Sequence, residues 1–113
     1  MISITSHILD TSSGRPAEGV NTNLFYLNNE SQWEEICVGI TNKDGRISDF
    51  TTEKKNLVKG IYKINFQTGD YFQEKELKCF YPFVEIIFEI DRDEHYHIPL
   101  LISPFGYTTY RGS

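Results

Sequence analysis

The sequence predicts an all-β sandwich, and three observations carry that prediction. Apolar residues recur at every second position in a series of short segments, which is the period of a half-buried strand. Those segments are separated by clusters of turn formers, such as Asp10-Thr11-Ser12-Ser13-Gly14 and Asn42-Lys43-Asp44-Gly45. Aromatic residues make up 14% of the chain, and Val, Ile and Thr are frequent, a composition that suits pleated surfaces.

The first strand is expected at Ser3–Asp10, with Ile2, Ile4 and Ile8 on one face and Ser3, Thr5, His7 and Leu9 on the other. Asp10–Pro16 reads as a loop. The second strand, about Val20–Leu27, aligns Val20, Thr22, Leu24 and Tyr26. Asn28–Ser31 turns the chain into a third strand at about Trp33–Thr41, where alternation groups Ile36, Val38 and Ile40. After the Asp44-Gly45 turn, Arg46 opens a short fourth strand, and the polar stretch Thr51–Asn56 reads as a loop. The fifth strand, Gly60–Gln67, aligns Tyr62, Ile64 and Phe66. Asp70 is placed to cap one short helix running to about Lys78. A sixth strand at Phe83–Asp91 aligns Val84, Ile86, Phe88 and Ile90. A seventh follows at His95–Ile102, and the turn Ser103–Gly106 leads to a last strand at Tyr107–Arg111.

Length and composition bound the function. At 113 residues the chain is expected to be a single domain, residues 1–113, able to bury a core without metal or disulfide support. Net charge is −5 with no cluster of Lys and Arg, which argues against nucleic acid as a partner. No apolar run approaches the roughly 18 residues that span a bilayer, so no membrane partner is expected. The N-terminal segment lacks both a basic stretch and a signal-type apolar core, which points to the cytoplasm. Cys37 and Cys79 form no CxxC pair and have no metal-ligand spacing, so they read as reduced thiols.

The chemistry concentrates late in the chain. In the seventh strand Tyr96, Ile98, Leu100 and Ile102 form the apolar face, while His95, His97, Pro99 and Leu101 face the other way. His7 also lies opposite its strand's apolar face, so His7 and His97 can meet if the two strands share a sheet. A solvated face would carry Lys, Glu and Thr. This one carries Leu9, His97, Pro99 and Leu101, with Tyr110 or Arg111 added from the last strand, a mixture that suggests contact with another subunit. The terminal Tyr110-Arg111-Gly112-Ser113 adds guanidinium and hydroxyl groups, and a terminal carboxylate on Ser113 would add another ionisable group.

Simpler readings exist for each residue. A histidine is most often a surface or hydrogen-bonded residue, and Asp44-Gly45 is ordinary turn chemistry. Zinc would use His95 and His97 with His7 as third ligand, but it wants three or four protein ligands, and neither a nearby Cys nor an HExxH motif is present. No metal is therefore expected. No Gly-rich phosphate loop or GxSxG elbow occurs.

These residues also resemble a known family over essentially the whole chain. Ser6–Asp10, Gly14–Val20, Thr41–Arg46, Phe80-Tyr81-Pro82, His95–Leu101 and the terminal Tyr110–Ser113 are similar to 5-hydroxyisourate hydrolases, transthyretin-like enzymes of urate breakdown. The terminal tetrapeptide separates such enzymes from transthyretin, the hormone carrier of the same fold.

The resemblance implies an eight-stranded sandwich of two four-stranded sheets with one short helix. It implies a homotetramer, a dimer of dimers, with active sites in the channel between dimers. The implied reaction opens the ring of 5-hydroxyisourate to give 2-oxo-4-hydroxy-4-carboxy-5-ureidoimidazoline, with no cofactor. Its site residues fall on His7, Arg46, His97 and Ser113 for catalysis. Arg46, Tyr110, Arg111 and Gly112 are expected to bind substrate, although Arg111 has the alternative of pinning the tail. His7 and His97 would form the acid/base pair, Arg46 would stabilise charge on the attacked oxygen, and Gly112 would let the backbone approach closely. The competing readings are a small-molecule carrier without catalysis and a purely structural domain.

Overall fold

The computed structural model describes residues 1–47, 50 and 56–113. Alternation generates the strands. In β1 (Ser3–Asp10) every second residue is buried, from Ile4 to Asp10. β2 (Arg15–Pro16) folds back on the end of β1, pairing Leu9 with Pro16. β3 (Asn21–Leu27) and β4 (Trp33–Ile40) form a hairpin, and β5 (Arg46–Ile47) pairs antiparallel with the middle of β1. β6 (Gly60–Phe66) leads into α1 (Thr68–Glu74), followed by β7 (Val84–Ile90), β8 (His95–Ser103) and β9 (Gly106–Thr109).

Two sheets result. One runs β2-β1-β8-β9 with β5 also paired to β1, and the other runs β4-β3-β6-β7. The core lies between them. Ile4, Ile8, Leu100 and Ile102 meet Leu24, Tyr62, Ile64 and Phe66, all within 1% of full burial. Burying each large aliphatic side chain contributes about 1.5–3 kcal/mol. β1 and β8 run parallel, with Ser3 beside His95, Thr5 beside His97 and His7 beside Pro99. This parallel pair joins the two histidine-bearing strands and positions the site.

Several expectations need correction. Among the described residues the first sheet has five strands, not four, because the expected Asp10–Pro16 loop contains β2. Alternation fails in β4. The register with β3 shifts so that Leu24 faces Cys37 and Phe25 faces Glu35, leaving Ile36 as an extra residue. This β-bulge turns Ile36 and Cys37 onto the core while Val38 and Ile40 stay 65% and 60% exposed. Asp70 sits in the first turn of α1 and does not cap it; Gln67 holds the N-cap position without a side-chain bond. The helix stops at Glu74, short of Lys78, because Glu76 takes a left-handed φ of 59° and the Leu77 N–H returns to the Phe72 carbonyl. The last strand ends at Thr109, beyond which the tail makes a single bridge through Gly112. Residues 51–55 of the loop expected at Thr51–Asn56 lie outside the described residues.

Candidate active site

The site starts from the Asn42–Gly45 turn. The Asn42 side-chain carbonyl accepts the backbone N–H of Asp44 and of Arg46, which tightens the turn. Gly45 adopts φ 74°, and its carbonyl accepts the Ile8 N–H at 2.8 Å. A Cβ at Gly45 would strike the Ile8 carbonyl, so only glycine lets the turn dock this closely on β1. The next residue, Arg46, is thereby registered opposite His7.

His97 comes to the same face from β8. It lies beside Thr5, one alternation step from the Pro99 that neighbours His7, so the two imidazoles are diagonal neighbours. The Thr5 hydroxyl is 2.7 Å from His97 Nδ1, which leaves Nε2 as the nitrogen available to a reactant. Both histidines are held below the ordinary imidazole range. For His7 burial is the main cause, the Arg46 guanidinium adds to it, and Asp44 opposes. For His97 burial is again first, followed by Arg46, His7 and His95. At neutral pH both rings are therefore uncharged and able to accept a proton.

The tail borders this face. The Gly112 N–H donates to the His97 carbonyl at 2.9 Å, extending the β8–β9 register. A Cβ on Gly112 would lie 2.6 Å from His97 Cδ2 and 3.1 Å from Pro99 Cγ, so the expected close approach is realised against the imidazole itself. Tyr110 is 59% exposed, and Ser113 is exposed beyond Gly112.

Arg111 does not join the histidines. Its guanidinium donates to Glu94 at 2.6 Å and lies 4.5 Å from the centre of the Tyr96 ring, whose side chain leaves β8 on the core face. Alternation is the reason: with Gly112 against His97, the residue before it must turn the other way. These contacts tie the tail to Glu94 and Tyr96.

The structure brings His7, Arg46, His97 and Gly112 together, with Tyr110 and Ser113 flanking them. One contributor passed unnoticed in the sequence. Alternation puts Thr5 on the outer face of its strand, but a lone threonine there carries no chemical signal until β8 is known to lie alongside. Among the described residues no group of three metal-ligating side chains forms. A cleft of about 270 Å³ reaches His97, Tyr110 and Arg111 from the β7 side, but neither His7 nor Arg46 lines it. The histidine face of one chain is open.

A profile of the HIUase/Transthyretin family matches residues 4–112. The chain belongs to that family. A probable 5-hydroxyisourate hydrolase of Schizosaccharomyces pombe is 45% identical over 112 residues, covering 97% of this chain and 90% of the relative. Among HIUase/transthyretin structures, Klebsiella pneumoniae 5-hydroxyisourate hydrolase superposes with a TM-score of 0.86 at 36% identity, covering 98% of this chain and 99% of the other. Sea bream transthyretin in complex with thyroxine superposes with a TM-score of 0.91 at 29% identity, covering 97% and 94%. The same fold is thus shared by a 5-hydroxyisourate hydrolase and by a transthyretin solved in complex with thyroxine.

Proposed function

We propose that this protein hydrolyses 5-hydroxyisourate to 2-oxo-4-hydroxy-4-carboxy-5-ureidoimidazoline, a step of urate degradation. The observation that carries the reading is the grouping of two uncharged imidazoles, a guanidinium and a glycine-mediated tail contact on one sheet face. The hydrolase relatives support the substrate.

The chemistry follows from those groups. Water is a weak nucleophile at neutral pH, so one imidazole takes its proton as the oxygen bonds to the ring carbonyl carbon. Arg46 stabilises the charge that develops on the carbonyl oxygen. The C–N bond then breaks as the other imidazole, uncharged at the start, takes the remaining proton of the added hydroxyl and delivers it to the departing ring nitrogen, leaving a carboxylate. Ser113 orients the water or a histidine, and Tyr110 and Gly112 contact the substrate. Arg111 serves by fixing the tail. The scheme needs no covalent intermediate and no cofactor.

A homotetramer, built as a dimer of dimers, would complete the site. Among the described residues β7 and β9 each pair on one side only, and the apolar Ile87, Phe83 and Tyr107 stand exposed there. A second copy along these edges would form the dimer, and a second dimer against the open histidine face would supply the missing wall. We also place the protein in the cytoplasm; no helix among the described residues is long and apolar enough to cross a membrane.

The test generates 5-hydroxyisourate from urate with urate oxidase and follows its absorbance after addition of the protein. Catalytic amounts should accelerate the decay over many turnovers. A carrier would instead perturb at most one equivalent of ligand, and that outcome would replace the hydrolase reading.

A further inference from the structure

Four side chains run in a hydrogen-bonded line across the β1–β8 face, and the scheme above uses only the last. The Ser3 hydroxyl meets His95 Nδ1 at 2.5 Å. His95 Nε2 is 3.0 Å from the Thr5 hydroxyl, and that same hydroxyl is 2.7 Å from His97 Nδ1. The two imidazoles lie nearly parallel, 18° between planes and 6.5 Å between centres, because both lean on the one hydroxyl between them. The parallel register sets Ser3 beside His95 and Thr5 beside His97, so the line follows from strand pairing.

A hydroxyl has one proton to donate, so Thr5 can donate to only one of its two imidazoles and must accept from the other. The line therefore has two ordered states. In one, His97 Nδ1–H donates to Thr5, Thr5 donates to His95 Nε2, and His95 Nδ1–H donates to Ser3. His97 Nε2 is then bare and can take a proton from water. In the other, every donor is reversed and His97 Nε2 carries a hydrogen.

The hydrolysis creates a need for such a line. Opening the ring turns a carbonyl into a carboxyl group, which ionises at neutral pH, and leaves a ureido nitrogen that is not basic. Each turnover thus releases one proton. We propose that Thr5 and His95 form a relay that positions His97 with Nε2 bare and carries the released proton from His97 to solvent. His97 Nε2 takes a proton from water, Nδ1 passes its own to the Thr5 oxygen, and the Thr5 proton moves to His95 Nε2. His95, exposed at the surface, then loses its Nδ1 proton to solvent by way of Ser3. Rotation of the two hydroxyls and exchange with water restore the starting order. The charged and titratable groups acting on His97 are Arg46, His7 and His95, and the relay changes none of them in number. Thr5 and Ser3 are positioning residues, touching no substrate.

This inference rests on the hydrolase reading for its proton but not for its geometry, so two measurements separate them. Nitrogen-15 NMR of labelled protein above pH 7 reports the His97 tautomer without any substrate. We expect Nδ1–H in the wild type and in Thr5→Ser, and Nε2–H, the form free imidazole side chains favour, in Thr5→Val. Turnover of 5-hydroxyisourate by Thr5→Val should fall about 10- to 100-fold in kcat with KM nearly unchanged, and Thr5→Ser should recover to within about threefold. His95→Ala should be slowed at low buffer concentration and regain rate as imidazole buffer is added, while the wild type stays buffer-independent. An unchanged tautomer in Thr5→Val would overturn the positioning role. Full, buffer-independent turnover by His95→Ala would overturn the relay. Absence of turnover in the wild type would sink the hydrolase reading and, with it, the source of the proton, while the tautomer result would still stand or fall separately.

Discussion

The outer faces of the two sheets are populated by the same alternation and yet are built for different ends. On the four-stranded sheet polar groups are paired with their neighbours. Asn23 donates to Glu35, Asn65 to Glu85, and Lys63 pairs with Glu85 while lying over the Phe25 and Trp33 rings at 5.0 and 4.5 Å. On the five-stranded sheet the imidazoles of His7 and His97 are held below the ordinary imidazole range by burial first and by the neighbouring Arg46 guanidinium second. A face whose charges are matched contributes modestly to stability. A face that holds neutral bases beside a cation can move protons, at some cost in stability at low pH.

The comparison can be broken at several points. The largest effect should come from deleting Arg111–Ser113: activity in the 5-hydroxyisourate decay assay should be lost, while circular dichroism shows an intact β fold. The tail adds one bridge and an exposed ion pair, neither of which holds the sandwich together. Next, Arg46→Gln should lower kcat by about 10²–10³-fold, as removal of an oxyanion-stabilising group does. Its loss should also raise the midpoints of both histidines, visible as an upward move of the acidic limb of the pH–rate profile. Gly112→Ala should cost about 10²-fold in kcat, the penalty of displacing a reacting group by about 1 Å, with little change in melting temperature.

Smaller effects follow from pH. Because His7 and His97 titrate below the ordinary imidazole value near 6.5, kcat/KM should hold through neutral pH and fall only below that value. The same depression gives the sign for stability. Protonation favours the unfolded chain, whose histidines bind protons more readily, so these groups lower stability as pH drops from about 6.5 through their folded midpoints and leave it unaffected above. Chemical denaturation at pH 7 and pH 5 measures the difference.

Where local pattern decides structure, the sequence was sufficient. Alternation located the core faces of β1, β3, β6, β7 and β8, and the outward placement of His7 and His97. It failed where one residue breaks the period or where a partner strand decides. The Ile36 bulge is invisible until β4 is laid against β3. The two residues of β2 are too few to show a period and are strand only because β1 passes beside them. The tail shows both limits. Gly112 was legible as a close-approach residue, but whether Tyr110 or Arg111 shared the histidine face depended on the register of β9 with β8, which put Arg111 on Glu94 and Tyr96. Thr5 needed the parallel pairing of strands some 90 residues apart in sequence.

The central claim is that the five-stranded face is a proton-transfer site and the four-stranded face is not. Turnover of freshly generated 5-hydroxyisourate by His7→Asn, His97→Asn and Lys63→Ala, each checked for melting temperature and assembly, tests it most directly. Both histidine variants should lose about 10²–10⁴-fold in kcat. Lys63→Ala should keep wild-type turnover while losing about 0.5–1 kcal/mol of stability with its aromatic contacts. Near-wild-type turnover by either folded histidine variant would contradict the assignment.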